Sequence, residues 1–193
     1  MKGPVLLNFT QKKALVIGAG KVGLRRAETL AGYGCFVTCI SLDEFLGEPK
    51  NLPIKMIFGS YDNHLLKNVD LVVAATNDTA VNAEILRDCK QQKIWCNAVD
   101  DPDHSDFIFP SVVKRGDLTL SVCTDGASPF LATQIKNELA EKYDESYNKR
   151  LRYLKILRKK ILELALPEKE KRFRLQEMTN WTLDRLQEEV EKI

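Results

Sequence analysis

A glycine-rich turn between a strand and a helix constrains the fold of this chain more than any other feature. Residues 13–17 form the short apolar run KALVI, which stops at the turn Gly18-Ala19-Gly20-Lys21-Val22-Gly23. The stretch that follows carries apolar residues at helical spacing, at Val22, Ala27, Leu30 and Ala31. The sequence therefore predicts a strand, a tight turn and a helix in direct succession.

The turn has the form G-x-G-x-x-G, in which each glycine has a separate task. The first glycine permits the tight turn, the second lets the backbone approach a pyrophosphate, and the third lets the helix pack closely on the strand. The N-terminus of the helix directs N–H donors toward the anion. Because a strand precedes the motif and a helix follows it, we expect a dinucleotide to bind at Gly18, Gly20, Lys21, Val22 and Gly23.

Strands and helices alternate through the first 110 residues. Apolar or β-branched runs recur at residues 35–40, 54–58, 69–75 and 94–99, and residues 79–90 show helical spacing. Apart from Asp70, the run at 69–75 is apolar, as expected of a strand that is buried on both faces. This alternation predicts an α/β domain over residues 1–110, built as a Rossmann-type doubly wound parallel sheet.

An acidic residue, Asp43, follows the second predicted strand, twenty residues beyond Gly23. A carboxylate there accepts a hydrogen bond from a ribose 2′-hydroxyl and repels a 2′-phosphate, which favours NAD over NADP. Alternatively, Asp43 and Glu44 begin a surface helix, because acidic residues also favour helix N-termini. The other predicted cofactor contacts stand at strand ends, where ligands of parallel sheets bind: Leu42, Thr76 and Asn77.

The pattern changes after Phe107. Residues 111–114 and 118–124 form extended runs joined by a glycine-containing turn, which predicts a hairpin. Ser128-Pro129 is an N-cap followed by a first-turn proline and predicts a helix from 129 to 143. Amphipathic segments then continue to the end. We expect a small mixed dimerisation segment over residues 111–146 and a helical C-terminal domain over residues 147–193.

The composition excludes several classes of protein. With 44% hydrophobic and 29% charged residues the chain is globular, and its net charge of +2 is too balanced to indicate nucleic-acid binding. The five cysteines include no C-x-x-C pair, which favours reduced thiols and no metal site. The sequence has neither a signal-peptide pattern nor an apolar run of about 18 residues, so we expect a cytoplasmic protein without a membrane partner.

Five segments occur in the order typical of one enzyme family: VIGAGKVGLRR, AATND, CNAVDDP, FIFPSVVKRGDLTLSV and DGASPFLATQIKNEL. With them, residues 1–145 resemble the precorrin-2 dehydrogenase family, the N-terminal module of sirohaem synthases. The resemblance implies NAD-dependent oxidation of precorrin-2 to sirohydrochlorin in sirohaem or cobalamin synthesis, by a homodimer with interleaved central segments. Because the sequence ends at Ile193, without room for the methyltransferase of fused members, we expect another enzyme to deliver the substrate.

Two alternatives to this function stay open at the level of the sequence. Some relatives also insert ferrous iron, so a bifunctional dehydrogenase and sirohydrochlorin ferrochelatase is the first. The second is a non-catalytic NAD-sensing module that regulates a partner, because a Rossmann fold does not by itself imply catalysis.

The resemblance places the family's essential aspartate at Asp100, directly after a predicted parallel strand. Removal of a hydride from a tetrapyrrole must be accompanied by loss of a proton, which gives a carboxylate there the role of general base. Alternatively, Asp100, Asp101 and Asp103 are turn residues around Pro102. His104 either assists proton or metal chemistry or is an ordinary surface residue.

Precorrin-2 is a polycarboxylate, so its pocket requires cations and N–H donors. The predicted substrate contacts lie in the hairpin and before the helix that follows it: Lys114, Arg115, Thr124, Gly126 and Ser128. Residues 148–160 add seven lysines and arginines and no acid. This basic segment is either a second surface for the polycarboxylate or the solvated face of an amphipathic helix.

Overall fold

The computed structural model describes residues 2–42 and 52–193, which divide into an N-terminal unit (Met1–Phe109) and a C-terminal unit (Pro110–Ile193). The N-terminal unit contains strands β1 (Lys13–Ile17), β2 (Phe36–Ser41), β3 (Ile54–Phe58), β4 (Leu71–Ala74) and β5 (Trp95–Ala98). Its helices are α1 (Lys21–Gly32) and α2 (Thr79–Gln92), and a short 3-10 turn spans Asn63–Leu66.

The five strands of the N-terminal unit form one parallel sheet in the order β3-β2-β1-β4-β5. Alternate residues of β1 face opposite sides of this sheet: Val16 joins a buried cluster with Leu30 of α1, whereas Ile17 joins a second cluster with Ile85 of α2. Both faces are therefore covered, which explains why β1 and β4 consist almost entirely of apolar residues. The predicted doubly wound α/β fold is confirmed.

The strand order reverses at β1, since the chain builds outward to β2 and β3 before it returns to β4 on the other side. The loops after β1 and β4 therefore leave neighbouring strands in opposite directions, and a crevice opens between them. Ligands of open parallel sheets bind in this crevice. The topology places the glycine turn and the loop that begins at Ala75 on its two sides.

The C-terminal unit begins with an antiparallel hairpin of β6 (Ser111–Arg115) and β7 (Leu118–Val122), as the sequence predicts. Four helices follow: α3 (Pro129–Lys142), α4 (Ser146–Glu163), α5 (Glu168–Glu177) and α6 (Leu183–Glu191). The amphipathic segment after Pro167 is divided into two helices, because the Thr182 side chain caps a new helix by accepting a hydrogen bond from Arg185 N. Leu157, Met178 and Leu186 form the buried centre of the helical part.

Three cysteines, Cys39, Cys89 and Cys96, are fully buried in the sheet unit and fill small spaces in its core. Burial raises the pKa of the Cys39 thiol to about 11, so this thiol stays protonated at neutral pH. No helix in the described part of the chain is long and apolar enough to cross a membrane. The separation of residues 111–146 from residues 147–193 and the cytoplasmic location stay predictions.

Candidate dinucleotide and proton-transfer site

Four neighbouring strands end at residues that the sequence assigns to the cofactor or to catalysis. Leu42 follows β2, Gly18 follows β1, Thr76 comes shortly after β4, and Asp100 comes shortly after β5. Because all four strands are parallel, these residues lie at the same edge of the sheet. Asp43 lies outside the described residues.

The glycine turn is packed so closely that two of its glycines leave no space for a side chain. Gly18 has a φ of 101°, and a Cβ atom there would lie 2.3 Å from the Ala75 carbonyl oxygen and 2.8 Å from Thr76 N. A Cβ on Gly23 would lie 1.9 Å from the Gly18 carbonyl oxygen. The first glycine therefore lets the loop after β4 approach the turn, and the third lets α1 approach β1, as the motif predicts.

The second glycine, Gly20, differs because a Cβ atom built on it meets nothing within 4 Å. Within residues 2–42 and 52–193, no side chain caps the start of α1 and its first turn contains no acidic residue. Helix α2, in contrast, begins with the Asp78 carboxylate accepting from Ala80 N and Val81 N. The first N–H groups of α1 are therefore available to an anion, and Gly20 leaves open space in front of them.

Exposed apolar side chains lie in the glycine turn and directly after β2, at the same edge of the sheet. Val22 is 39% exposed on the first turn of α1, and Leu42 is 75% exposed at the end of β2. Lys21 is also exposed at the start of α1. A dinucleotide offers apolar ring faces as well as charged phosphates, so such a mixed surface fits its chemistry.

The loop after β4 is held by side-chain hydrogen bonds. Asn82 Oδ1 lies 3.1 Å from Thr76 N and 2.8 Å from Thr76 Oγ1, and Asn82 Nδ2 donates to the Thr76 carbonyl oxygen at 3.2 Å. The Thr76 hydroxyl also lies 2.9 Å from the Asp78 carbonyl oxygen. Asn77, in contrast, is exposed. The polar groups of the predicted contact residue Thr76 thus form hydrogen bonds with Asn82 and Asp78, whereas the side chain of Asn77 is exposed to solvent.

Asp100 lies in an exposed turn whose base is fixed to β5. Ser105, which is 7% exposed, accepts a hydrogen bond from Ala98 N at 2.9 Å, and its hydroxyl lies 2.8 Å from the Asp101 carbonyl oxygen. Asp106 N then donates to the Cys96 carbonyl oxygen at 2.9 Å. The turn is therefore closed at both ends, which restricts the position of Asp100.

Residues 100–106 contain four aspartates, and three of their carboxylates have a polar partner, two through hydrogen bonds and one through a long exposed ion pair. Asp101 binds His104, Asp106 accepts from Cys96 N, and Asp103 lies 3.9 Å from the Lys2 ammonium. Among the described residues, the Asp100 carboxylate has neither a hydrogen bond nor an ion pair. Asp100 is thus the carboxylate of this turn that is available to take a proton from a ligand.

The Asp101 and His104 side chains form an exposed pair, with His104 Nδ1 2.8 Å from Asp101 Oδ2. The hydrogen bond from the His104 side chain is the main cause that lowers the pKa of Asp101, and the bond from His104 N lowers this pKa further. The Asp101–His104 pair therefore stabilises the turn fully above the pKa that Asp101 has in the unfolded chain. This stabilisation is lost as the pH falls through the lower pKa that Asp101 has in the folded protein. His104 thus contacts the neighbour of Asp100 and not Asp100 itself.

Replacing His104 by Ala should raise the pKa of Asp101 toward about 3.9, its value in model peptides. The shift should be incomplete, because the backbone N–H of residue 104 still donates to the Asp101 carboxylate at 3.2 Å. Carboxyl chemical shifts followed by NMR during an acid titration measure this value. An unchanged Asp101 midpoint would show that the imidazole does not interact with the carboxylate in solution.

The predicted substrate residues of the C-terminal unit have different local roles. Thr124 Oγ1 bonds Ser128 N and Ser128 O at 3.2 and 3.1 Å, and Ser128 Oγ accepts from Leu131 N at 3.2 Å, so these residues shape the start of α3. Gly126, with a φ of 85°, has open space around it. Lys114 is exposed on the hairpin.

Arg115 is held within the C-terminal unit and is mostly buried. Its guanidinium lies 3.3 Å from Glu145 Oε1 and donates to the Ala140 carbonyl oxygen at 3.3 Å, and its side chain is 18% exposed. These contacts join the hairpin to the last turn of α3 and to the segment between α3 and α4. Binding of a substrate carboxylate by Arg115 stays a prediction, and it would require part of this network to be exchanged.

A family model described as "Putative NAD(P)-binding" matches residues 5–111, which contain all five strands of the parallel sheet. The chain belongs to this NAD(P)-binding family. The predicted dinucleotide-binding class of the domain is thereby confirmed, and the individual cofactor contacts stay predictions. The match ends close to the boundary of the N-terminal unit at Phe109.

Individual relatives extend the similarity into the C-terminal unit. Siroheme synthase 2 of Pectobacterium atrosepticum is 31% identical over 139 residues, which are 70% of this chain and 30% of that protein. Siroheme synthase 2 of Yersinia enterocolitica is 32% identical over 139 residues, 70% of this chain and 29% of that protein. The chain thus spans about 30% of the length of these curated relatives.

Among solved structures, SirC, precorrin-2 dehydrogenase, is similar over 100% of both chains, with 26% sequence identity and a TM-score of 0.77. The similarity therefore includes the hairpin and the helices as well as the parallel sheet. The resemblance to the precorrin-2 dehydrogenase family, predicted from the five sequence segments, is confirmed by these comparisons.

Two residues that shape the site, Asn82 and Ser105, are absent from the sequence-based predictions. Each is a polar residue that folds into a buried position, with 1% and 7% exposure. A weak signal existed for Asn82, which is a polar residue within the otherwise apolar face of α2, close to Val81, Ile85 and Leu86. For Ser105 we find no such signal, because loop serines are usually exposed.

Proposed function

We propose that this chain is an NAD-dependent dehydrogenase that oxidises precorrin-2 to sirohydrochlorin. The observation that carries this proposal is the similarity to a precorrin-2 dehydrogenase over the whole length of both chains. The Asp100 carboxylate after β5, which has no polar partner in the described part of the chain, supports it, because it lies at the sheet edge where a parallel sheet binds its ligand. Conversion of precorrin-2 with NAD into sirohydrochlorin and NADH, followed by NADH absorbance, tests the proposal.

The residues at the glycine turn fit a dinucleotide. Gly20 leaves open space beside the uncapped N–H groups of α1, which suits the pyrophosphate, and the loop at Thr76 and Asn77 borders the same crevice. When bound there, the cofactor supplies the hydride acceptor of the reaction. NAD is proposed over NADP because of Asp43, whose carboxylate would repel a 2′-phosphate.

Asp100 is proposed to receive the proton that the substrate loses. The oxidation removes a hydride from one carbon of the tetrapyrrole and a proton from a neighbouring position, so that a new double bond forms. The Asp100 carboxylate accepts this proton, and water removes it afterwards. The closed turn from Ala98 to Ser105 keeps the carboxylate in place without occupying its oxygen atoms.

The substrate carboxylates are proposed to bind in the C-terminal unit. Lys114 offers an exposed ammonium group, and the turn from Thr124 to Ser128 exposes backbone next to the N-terminus of α3. Helix N-termini and ammonium groups both stabilise carboxylates. Gly126 has space for close approach of a ligand, because a Cβ atom there would meet nothing within 4 Å.

A homodimer is proposed to form through the hairpin and α3. Within residues 2–42 and 52–193, the two strands pair only with each other, and a two-stranded hairpin by itself is marginally stable in water. On α3, Phe130 is 89% exposed and Leu131 is 47% exposed, and Ala132 is the buried residue of this helix. A second copy would cover this apolar pair and the unpaired strand edges.

Replacing Phe130 by Glu should convert the dimer into a monomer, because a charge at the contact cannot be buried without a partner. Ile156→Glu is the matched control, since Ile156 is 38% exposed on α4, outside the proposed contact. Light scattering coupled to gel filtration measures the mass of both variants. A wild-type mass equal to one chain, or an unchanged mass for Phe130→Glu, would contradict the proposed surface.

A further inference from the structure

Asn82 is a fully buried polar residue to which the proposed chemistry gives no task. It lies in the first turn of α2 with 1% exposure, and its amide bonds the N–H, the hydroxyl and the carbonyl oxygen of Thr76. One side chain therefore binds every polar group of a single loop residue. A buried polar network that is fully satisfied fixes one conformation, because any displacement leaves a polar group without a partner.

The same loop is in contact with the glycine turn. The Ala75 carbonyl oxygen and Thr76 N occupy the space that a Cβ atom on Gly18 would require, at 2.3 and 2.8 Å from it. Ala75 N donates to the Ile17 carbonyl oxygen at 2.7 Å, which links the loop to the end of β1. The position of Thr76 thus determines how far the loop stands from the turn that receives the pyrophosphate.

The start of α2 belongs to this arrangement as well. Asp78 caps α2 through Ala80 N and Val81 N, and its own N–H donates to the Thr76 hydroxyl at 3.2 Å. Two side chains therefore hold the loop on α2. Asp78 lies at the end of the loop, and Asn82 lies in the first turn of the helix. Of these two residues, Asp78 is exposed and Asn82 is buried, so only Asn82 is protected from competition with water.

We propose that Asn82 is a positioning residue of the dinucleotide site, which fixes Thr76 and thereby holds the Ala75–Asp78 loop in the conformation that binds the cofactor. Asn82 acts through Thr76 and does not itself contact the dinucleotide. An amide suits this role because it accepts hydrogen bonds from Thr76 N and Oγ1 while it donates to the Thr76 carbonyl oxygen. A carboxylate would retain the two acceptor contacts and would repel the carbonyl oxygen.

The test compares Asn82→Ala and Asn82→Asp with a control on the same helix, Ile85→Val or Ile85→Ala. Ile85 is fully buried in the core between α2 and the sheet, one turn beyond Asn82, and makes no polar contact with the loop. For each Asn82 variant, the Ile85 variant with the closest thermal unfolding midpoint serves as the control, so that the two proteins compared have equal stability. NADH fluorescence measures the dissociation constant, and turnover of precorrin-2 measures KM for NAD and kcat.

We expect Asn82→Ala and Asn82→Asp to raise the NADH dissociation constant and KM for NAD by about tenfold or more, because binding groups must be held within about half an ångström. At saturating NAD, kcat should stay within about threefold of wild type, since a displaced loop affects cofactor binding more than proton transfer. The Ile85 control should bind NADH as wild type does. If Asn82→Ala does not fold, Asn82→Asp provides the same comparison, because its side chain has nearly the same shape.

An NADH dissociation constant that is unchanged in both Asn82 variants would overturn the proposal. An equal loss of affinity in the Ile85 control at the same thermal midpoint would also overturn it, because the effect would then follow stability alone. The turnover readout rests on the proposed dehydrogenase function, whereas the NADH titration does not. A wild-type protein that binds NADH without oxidising precorrin-2 would therefore contradict the proposed function and leave the role of Asn82 supported by the titration.

Discussion

Replacing Asp100 by Asn should lower kcat for precorrin-2 oxidation by about a thousandfold, within the range typical of a lost general base. The amide keeps the shape of the carboxylate but cannot accept the proton. Asp100 has no partner among the residues described here, so its replacement should leave the fold and the NADH dissociation constant unchanged. Steady-state kinetics and an NADH titration on the same preparation measure both effects.

Asp103→Asn is the matched control for this experiment. Asp103 lies in the same turn, is 92% exposed at its side chain and is 3.9 Å from the Lys2 ammonium, so its loss removes an equal charge without removing the proposed base. Its kcat should stay within about twofold of wild type, because exposed pairs of this kind contribute little. Equal losses in the two variants would mean that the charge of the turn matters and that Asp100 has no specific role.

Replacing Gly23 by Ala should destabilise the protein by about 3 kcal/mol or more, because the new methyl group overlaps a backbone oxygen in the core. The Cβ atom would lie 1.9 Å from the Gly18 carbonyl oxygen, so α1 would have to move away from β1. Gly20→Ala should keep its stability within about 0.5 kcal/mol, because its Cβ meets nothing within 4 Å. It should nevertheless weaken NADH binding by about tenfold or more, since the methyl group occupies the space for the pyrophosphate.

Urea unfolding and NADH titration distinguish these two glycines. Gly32→Ala serves as the control, because Gly32 ends α1 on the exposed side and also has open space around it. The control should bind NADH normally. Normal NADH binding by Gly20→Ala would contradict the pyrophosphate site at this turn, and a stable Gly23→Ala would contradict the close packing of α1 on β1.

The sequence predicts the N-terminal unit well, because its information is local. The G-x-G-x-x-G spacing identifies the turn, and the continuous apolar run before Ala75 identifies a strand covered on both faces. Each of these features is set within a single strand or a single strand–turn–helix segment, so it can be read from neighbouring residues. To place the site, one further rule is needed, namely that parallel strands bind ligands at one common edge of the sheet.

The contacts that set the conformation of the site depend on the packing of the folded loops and could not be predicted in the same way. Asn82 meets Thr76 only because the loop after β4 turns back over α2, and Ser105 meets Ala98 only because the Asp100 turn closes. Arg115 illustrates the same limit, since its contacts with Glu145 and Ala140 arise from the packing of the hairpin against later segments. Spacing in the sequence contains no information on which polar groups meet when these loops fold.

The measurement that tests the proposed function most directly is the yield of NADH and sirohydrochlorin when the wild-type protein, in excess over precorrin-2, is supplied with NAD under anaerobic conditions. The dehydrogenase function predicts that NADH and sirohydrochlorin appear together in equal amounts, and that Asp100→Asn forms both about a thousandfold more slowly while it still binds NADH. Binding of NADH by the wild-type protein without any conversion of precorrin-2 would contradict this function and would favour a non-catalytic NAD-sensing module.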